Sequence, residues 1–253
     1  MGYFAARSAP LGTVPADVVT AAFYNFAPER VAKALPAAWE VASPLDALTA
    51  RQQSAVAALR RYGVTDEEAS VVADLAAKAL RNTDVGGRAL FAADRSLTWP
   101  DEPLARLWHA TTLLREHRGD GHVAVLTAEG VSGRVCNVLH AAAGRVPADM
   151  IKRSRDYDDE QWAHYLGLLE RRGLVDGAGE LTESGGQLKQ RIEDSTDAVA
   201  LPALEALDDG EVEALFRALT PITRKAVAAG DVPAGTPMGL SRDDLDDDSA
   251  HLA

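Results

Sequence analysis

Residues 158–182, DDEQWAHYLGLLERRGLVDGAGELT, constrain the fold more than any other stretch of this chain. Four large apolar side chains recur there at helical spacing: Trp162, Tyr165, Leu166 and Leu169. This periodicity predicts a helix over 158–172, and Gly173 follows as a typical helix stop. Short apolar pairs then flank the turn-forming residues 176–179, a pattern typical of a β-hairpin. The stretch therefore predicts a long helix, a small hairpin and, from Thr182, another helix.

Helix signals dominate the rest of the chain. Five prolines stand where they are expected to begin or separate short helices: Pro15, Pro28, Pro36, Pro202 and Pro221. A helix capped by Asp101 is expected to end near Gly119, and a further helix is expected from Gly121 to Glu129. The predicted fold class is all-α with one small β-hairpin.

Composition limits the classes of function. The net charge is −12, whereas a protein that binds nucleic acid loosely along its length is expected to be basic. One cysteine excludes an internal disulfide, and no apolar run approaches about 20 residues, so no membrane span is expected. The N-terminal sequence does not resemble a signal peptide. We therefore expect a cytoplasmic protein.

Three regions are predicted along the chain. Residues 1–100 form a helical domain that holds a ligand pocket or a dimer interface. Residues 101–229 contain the hairpin unit with its flanking helices. Residues 230–253 accumulate Pro, Gly and Asp and are expected to be an acidic, disordered tail.

The order of predicted helices over 133–143, 147–155 and 158–172, followed by a hairpin and a helix, resembles the MarR-like winged helix. The segment LLERRGLVDGAGELTESG carries that resemblance. Together with GYFAARSAPLG and LWHATTLLREHRGDGH, it is similar to the actinobacterial SCO6745-like helix-turn-helix family over most of the chain. The resemblance implies a winged helix-turn-helix in the C-terminal half, but it implies no chemistry. Relatives carry residues upstream of GYFAARS, so we expect this chain to begin short.

The leading hypothesis is a transcription-regulator-like DNA-binding protein, homodimeric and responsive to a small-molecule ligand. The residues predicted to contact phosphates or base edges are Lys152, Arg153, Arg155, Gln161, His164, Arg171 and Arg172. Two observations oppose it, since residues 156–160 place four carboxylates at the start of the recognition helix and the hairpin turn carries no cation. The alternative for the basic cluster is a solvated face that pairs with these carboxylates.

A second hypothesis is a ligand-binding protein or enzyme on a degenerate winged helix, and a third is a protein-interaction module. The candidate ligand residues are Arg7, Asn25, His117, Asp120 and His122. Two imidazoles and a carboxylate over 117–122 would bind a metal or form a general base. The alternative is a turn between helices in which Gly119 is the stop and Asp120 the next N-cap. Arg7 would bind an anion or pair with a core carboxylate.

Two smaller patterns remain. Cys136 and His140 share a helix face and would form a nucleophile pair, although a thiol buried in the core is the simpler interpretation. The segment VPADVV at 14–19 resembles VPADMI at 146–151. The match indicates either a duplicated domain or, as six residues alone favour, a coincidence of helix-start chemistry.

Overall fold

The computed structural model describes residues 2–240 and 242, and most of them are helical. The α-helices in chain order are α1 (Gly2–Ser8), α2 (Ala16–Phe23), α3 (Pro28–Val41), α4 (Pro44–Arg61), α5 (Asp66–Leu80), α6 (Ala89–Arg95), α7 (Pro103–Ala128), α8 (Gly133–Ala142), α9 (Ala148–Arg155), α10 (Asp159–Arg171), α11 (Glu183–Ala200) and α12 (Asp209–Ala228). Two 3-10 helices, Ala9–Leu11 and Leu201–Leu204, join them. The prediction of a mostly helical fold is confirmed.

The predicted hairpin does not form a sheet in the described part of the chain. Val175 and Leu181 make one isolated antiparallel bridge. The carboxylate of Asp176 accepts the backbone N–H groups of Ala178, at 2.9 Å, and of Glu180, at 3.1 Å, and so closes the turn tightly. Because α10 ends just before this segment and α11 begins just after it, too few residues remain to extend the pairing into strands.

The predicted break at Gly119 is wrong, because α7 runs without interruption from Pro103 to Ala128. A Cβ atom on Gly121 would lie 2.6 Å from Nη1 of Arg88 and 2.9 Å from a methyl group of Val199. This glycine therefore permits close packing and does not end the helix. The predicted N-cap is also displaced by one residue, since Glu102 accepts the first free N–H of α7.

Two prolines that were predicted to begin or separate helices lie inside them. Pro36 is within α3 and Pro221 is within α12, and both rings are exposed. A residue adjacent to each proline is buried: Leu35 precedes Pro36 in α3, and Ile222 follows Pro221 in α12. Tertiary packing of the apolar face thus offsets the backbone hydrogen bond that proline removes.

Helix α7 is the centre of the molecule. It packs against α4, α5 and α6 on the N-terminal side and against α11 on the C-terminal side. Helix α12 returns to α5, so helices from both halves share one apolar core. The α5 side of that core is built from small residues that permit close approach: Ala69, Val72, Ala73 and Ala76. A second core lies under α8–α11 and includes Val138, Ile151, Leu169 and Leu188.

The short sequence match between the two halves extends to backbone conformation. In each half, a glycine with positive φ precedes a Val-Pro pair, the proline caps an eight-residue helix, and a non-glycine residue with positive φ ends that helix. These equivalent positions are Gly12 and Gly144, Pro15 and Pro147, and Tyr24 and Asp156. Tyr24 and Asp156 are the non-glycine residues with positive φ in the described chain. The agreement does not extend to the helix ends, because ψ is −59° at Tyr24 and 64° at Asp156. The shared features are therefore those of helix-start chemistry.

Half of the predicted acidic tail, residues 241 and 243–253, falls outside the described residues. Its first part contacts the body, because Asp231 accepts a hydrogen bond from the Tyr62 hydroxyl at 2.7 Å and pairs with Arg61. Among the helices that the structure describes, none combines the length and apolar character needed to cross a membrane.

Candidate ligand cleft and helix-turn-helix surface

Helices α9 and α10 form a helix-turn-helix through a turn of three residues, 156–158. Asp156 adopts the left-handed conformation, with φ of 53°, which aspartate tolerates better than most residues. Tyr157 turns inward and is buried. The carboxylate of Asp158 caps α10 by accepting the N–H of Gln161 at 2.7 Å. Backbone conformation and capping in the turn therefore fix where α10 begins.

A clamp from α8 holds this turn. Arg134 donates to the backbone carbonyls of Arg155, at 2.6 Å, and Asp156, at 3.0 Å, and its guanidinium lies 3.4 Å from the centre of the Tyr157 ring. The Tyr157 hydroxyl donates to the Arg134 carbonyl at 2.6 Å and accepts from Asn137 at 3.0 Å. Burial raises the pKa of Tyr157 to about 12, so the hydroxyl stays protonated. Sequence reasoning missed this clamp, because helix periodicity does not reveal which polar side chains meet.

The N-terminal half docks directly onto α8. The backbone carbonyl of Asn25 accepts a hydrogen bond from Asn137 at 2.8 Å, and the Tyr24 hydroxyl donates to the Val131 carbonyl at 2.6 Å. A Cβ atom on Gly133 would lie 1.9 Å from the Tyr24 carbonyl oxygen. Glycine at the start of α8 is therefore required by this contact. Asn25, predicted as a ligand residue, contributes its backbone to a corner between helices.

Arg30 of α3 extends this docking to the turn. Its Nη1 donates to the Ser154 carbonyl at 2.9 Å and lies 3.1 Å from a carboxylate oxygen of Asp156. The start of α10 consequently faces the N-terminal half of the same chain. Asp156, one of the four carboxylates expected to oppose DNA binding, is thus the partner of an ion pair within the chain.

A cleft of about 1180 Å³ opens between these two surfaces. One wall comes from α1 and α3 with the loop before α3, and the other from residues 154–158 and Gln161. Four aromatic side chains line it: Tyr3, Phe4, Phe26 and Tyr157. Tyr3 is half exposed, at 51%, which is unusual for an aromatic residue in contact with a core cluster. The cleft therefore offers apolar surface beside the helix-turn-helix turn.

Arg155 is the cation placed most favourably in this cleft. Its guanidinium lies 4.4 Å from the centre of the Phe26 ring, and Nη1 makes a 3.3 Å contact with the Ser154 carbonyl. Within the described chain, no carboxylate lies within ion-pair distance, and the buried Nε has no acceptor. Burial lowers the pKa of Arg155, but an arginine remains charged. Although predicted as a phosphate contact on the outside of the helix-turn-helix, Arg155 points into the cleft.

Two other predicted phosphate contacts have internal partners. Lys152 donates to Asp159 at 2.9 Å and lies over the Trp162 ring. Arg172 donates to the carbonyls of Gly130, at 2.9 Å, and Glu129, at 3.3 Å, and so caps the end of α7. Both cations therefore support the local structure.

The remaining predicted DNA residues lie at the surface. Arg153 and Arg171 are exposed, and no ion pair or hydrogen bond of either side chain occurs among the described residues. His164 is exposed and contacts the ring of Tyr165 edge-on. The side-chain oxygen of Gln161 accepts a 3.4 Å contact from Arg134. The exposed cations thus flank α10, whose first turn is acidic.

The alternative ligand residues do not converge. Arg7 makes a bidentate ion pair with Glu116, at 2.8 and 3.1 Å, and Glu116 also contacts Arg115. Burial acts to raise the pKa of Glu116, but the hydrogen bonds and charges of these arginines outweigh it and lower that pKa. Arg7 therefore pairs with a core carboxylate, as one of the two interpretations expected.

His117, Asp120 and His122 share α7 but face different neighbours. The Asp120 carboxylate accepts the N–H of Phe91 at 2.9 Å, so it caps α6 from another helix and is not the N-cap of its own. The Nδ1 of His122 lies 2.8 Å from the Thr196 hydroxyl. His117 packs edge-on against Phe91, and burial lowers its pKa to about 4. Residues 117–122 therefore form neither a turn between helices nor a convergent site. Their side chains pack α7 against its neighbouring helices.

Neither metal-binding nor thiol geometry is apparent in the part of the chain that the structure describes. No three His, Cys, Asp or Glu side chains there are arranged to hold a metal ion. Cys136 packs against the C-terminal core, and burial raises the pKa of its thiol to about 11. A protonated, half-buried thiol is unsuited to nucleophilic attack.

Comparison with known proteins gives the family. Residues 1–233 match a helix-turn-helix family, which accounts for nearly all of the described chain. No curated protein and no solved structure matches it. The match extends over the N-terminal helices as well as α8–α11, so it covers both walls of the cleft and the helix-turn-helix. The chain is therefore a member of this helix-turn-helix family.

Proposed function

We propose that this protein is a ligand-responsive transcription regulator, in which an anionic aromatic small molecule binds the cleft and alters contact between α10 and DNA. One observation carries the proposal: the turn of the helix-turn-helix is itself a wall of the cleft. A ligand seated there touches the segment that positions the recognition helix. We expect the protein to act in the cytoplasm.

The chemistry of the cleft supports an anionic aromatic ligand. Tyr3, Phe26 and Tyr157 supply ring surface, and Arg155 supplies a positive charge that no carboxylate of the described chain neutralises. The lining also carries three other cations, Arg30, Lys33 and Arg115, and three carboxylates, Glu29, Asp156 and Asp158. Arg30 pairs with Asp156 and Arg115 with Glu116. Arg155 is half-buried and its buried Nε has no acceptor, so a ligand carboxylate beside it would form a charge-assisted hydrogen bond.

The DNA contact is expected on the outer face of α9 and α10. Arg153 and Arg171 would bind phosphates, and His164 would reach a base edge. The order of α8, α9, α10, the Val175–Leu181 bridge and α11 supports a MarR-like arrangement with a minimal wing. A homodimer is expected, because such proteins read two half-sites on one face of DNA.

The ligand step is tested by calorimetric titration with 2-naphthoate and with neutral 2-naphthalenemethanol. We expect naphthoate to bind more tightly. Arg155→Met keeps the apolar stem of the side chain but should weaken naphthoate binding by about tenfold or more. The matched control is Arg153→Met, an exposed arginine two residues away that does not line the cleft. Equal affinity for the two probes, or equal loss in the two variants, would contradict an anionic ligand at Arg155.

The DNA step is tested by selecting genomic fragments with the purified protein at moderate salt. A discrete site should be enriched, and Arg153→Ala/Arg171→Ala should lose it, whereas Arg81→Ala on the exposed end of α5 should keep it. Affinity should fall steeply as salt rises, and naphthoate should shift it only if the ligand binds the free and DNA-bound forms unequally. If the protein binds the ligand but enriches no DNA site, it is a small-molecule-binding protein, and the proposed role in transcription regulation is wrong.

A further inference from the structure

A second cavity lies in the N-terminal half, away from the helix-turn-helix. It has a volume of about 310 Å³ and is enclosed by α4, the end of α6, the segment at 97–98 and α7. Its apolar wall is formed by Leu45, Leu48, Leu97 and Trp108. The size corresponds to the small end of the range seen for ligand pockets.

Two buried polar side chains line this cavity with unsatisfied atoms. Asp94 is 2% exposed and His109 is 8% exposed. Within the described residues, Oδ2 of Asp94 and Nε2 of His109 have no hydrogen-bond partner. Buried polar atoms in folded proteins are nearly always paired. Two such atoms in one cavity indicate that something outside the chain satisfies them.

Arg51, which also lines the cavity, already has partners within the chain. Its guanidinium donates to the Ala6 carbonyl at 3.1 Å and to the Thr112 hydroxyl at 3.4 Å, and it lies 3.8 Å from Oδ1 of Asp94. The positive charge thus lies beside one oxygen of the carboxylate, and the other oxygen is left without a partner in the described chain until the cavity wall opens to a guest. Arg51 is therefore not available to bind a second anion.

The charges select the chemistry of the ligand. Burial raises the pKa of Asp94 to about 6, and burial together with the charge of Arg51 lowers the pKa of His109 to about 4. Near neutral pH the cavity presents a carboxylate and a neutral imidazole. A second full cation would lie close to Arg51, whereas a hydroxyl group donates to a carboxylate and accepts from an imidazole N–H without adding charge.

Helix α4 leaves this cavity adaptable. None of its eighteen residues is fully buried. Leu45, which forms part of the cavity wall, is 72% exposed. A wall with so few buried contacts opens at low cost in free energy, which gives a small molecule a route into the cavity.

We propose that this cavity binds a small neutral molecule that carries a hydroxyl group on an apolar body, with Asp94 and His109 as its polar contacts. The hydroxyl donates to Oδ2 of Asp94 and accepts from Nε2 of His109 in its Nε2–H tautomer. The apolar body lies against Trp108 and the leucines. A phenol has this chemistry and is small enough to enter.

The test uses the full chain, labelled with ¹⁵N and titrated with phenol, toluene and benzylamine. Phenol should shift the indole N–H signal of Trp108 saturably, and toluene and benzylamine should bind at least several-fold more weakly. Asp94→Asn should weaken phenol binding by about tenfold or more. His109→Phe keeps the edge contact with Trp99 but removes the ring nitrogen, and it should weaken binding too.

The controls separate this cavity from the cleft. Asp74→Asn, on the exposed face of α5, and Arg155→Met should both leave the phenol titration unchanged. If Asp94→Asn does not fold, His109→Phe decides the result. If phenol causes no saturable shift at Trp108, water alone fills the cavity. If toluene binds as tightly as phenol, the site is apolar and the polar contacts do not bind ligand. If benzylamine binds more tightly than phenol, the site selects a cation and not a neutral hydroxyl compound. Each of these three results overturns the proposal.

Discussion

Replacing Glu116 by glutamine should destabilise the protein more than any other single change of charge that we consider. Glu116 is 1% exposed on the central helix α7, and both of its oxygens accept hydrogen bonds from Arg7. The Arg7 side chain is itself only 17% exposed. Glutamine keeps the shape and one acceptor but leaves the guanidinium of Arg7 without a counter-charge.

The magnitude follows from the burial of both partners. Removing one member of a buried ion pair costs about 3–5 kcal/mol, mainly because the other charge stays desolvated and unpaired. The Arg115 side chain is 56% exposed, so the loss of its contact with Glu116 adds little to the cost in stability. For a chain of this size, each kcal/mol lowers the melting temperature by about 2–4 °C. We therefore expect Glu116→Gln to melt roughly 6–20 °C below the parent protein.

The pH dependence has a definite sign. The pKa of Glu116 is lower in the folded protein than its ordinary value of 4.5, since Arg7 outweighs burial. The ion pair therefore contributes its full stability above about pH 4.5 and loses it as the pH falls through the folded-state pKa. The difference in free energy of unfolding between the parent protein and Glu116→Gln should be constant near neutral pH and should become smaller below about pH 4.5.

The assay is the free energy of unfolding in urea, measured at pH 7 and at intervals down to pH 3. Glu213→Gln is the control, because Glu213 pairs with Arg217 on the exposed surface of α12 and should leave stability unchanged. A Glu116→Gln variant as stable as the parent at pH 7, or a gap that does not narrow in acid, would refute the reasoning.

Three further predictions concern packing. Gly119→Ala should stabilise the protein by about 0.5–1 kcal/mol, because alanine is a better helix former than glycine. Gly121→Ala should destabilise it by about 1–3 kcal/mol, because the added methyl group meets Arg88. Thermal melts distinguish the two variants, and equal effects would contradict the packing role of Gly121. Arg134→Ala should cost about 2–4 kcal/mol and speed amide exchange in the turn after α9, and unchanged exchange would show that the clamp is dispensable. The Cys136 thiol should react with iodoacetamide roughly 100-fold more slowly in the folded than in the unfolded chain near pH 7; similar rates would mean that the thiol is exposed.

The helices and their boundaries were largely predictable from local signals. The apolar spacing of 158–172 correctly placed α10, and the helix predicted from Thr182 correctly placed the start of α11. Local signals failed where tertiary packing overrides them. Gly121 was predicted to begin a new helix after a stop at Gly119, because its close contact with Arg88, from another helix, leaves no trace in the neighbouring sequence.

The polar contacts were less predictable, because one pattern of charges permits several partners. Lys152 and Asp159 were expected to pair as one of two alternatives, and they do. Nothing in the sequence indicated that Arg155 would point inward, or that Asp94 and His109 would share a cavity, since those side chains come from separate helices that meet only in the folded chain. Buried sites of this kind require the tertiary structure.

The repeated helix starts explain why an acidic recognition helix is compatible with this fold. The corner that follows α2 contributes Phe26 to the cleft, and the equivalent corner that follows α9 contributes Tyr157. The two corners therefore face each other, and the ion pair between Arg30 and Asp156 connects them. Of the carboxylates at the start of α10, Asp156 contacts the N-terminal half, whereas Asp158 caps α10 and Asp159 pairs with Lys152. Because Arg155 immediately precedes Asp156, a ligand that binds the guanidinium would touch the same backbone that sets the direction of α10, and this is the link between cleft and DNA contact on which the proposed function depends.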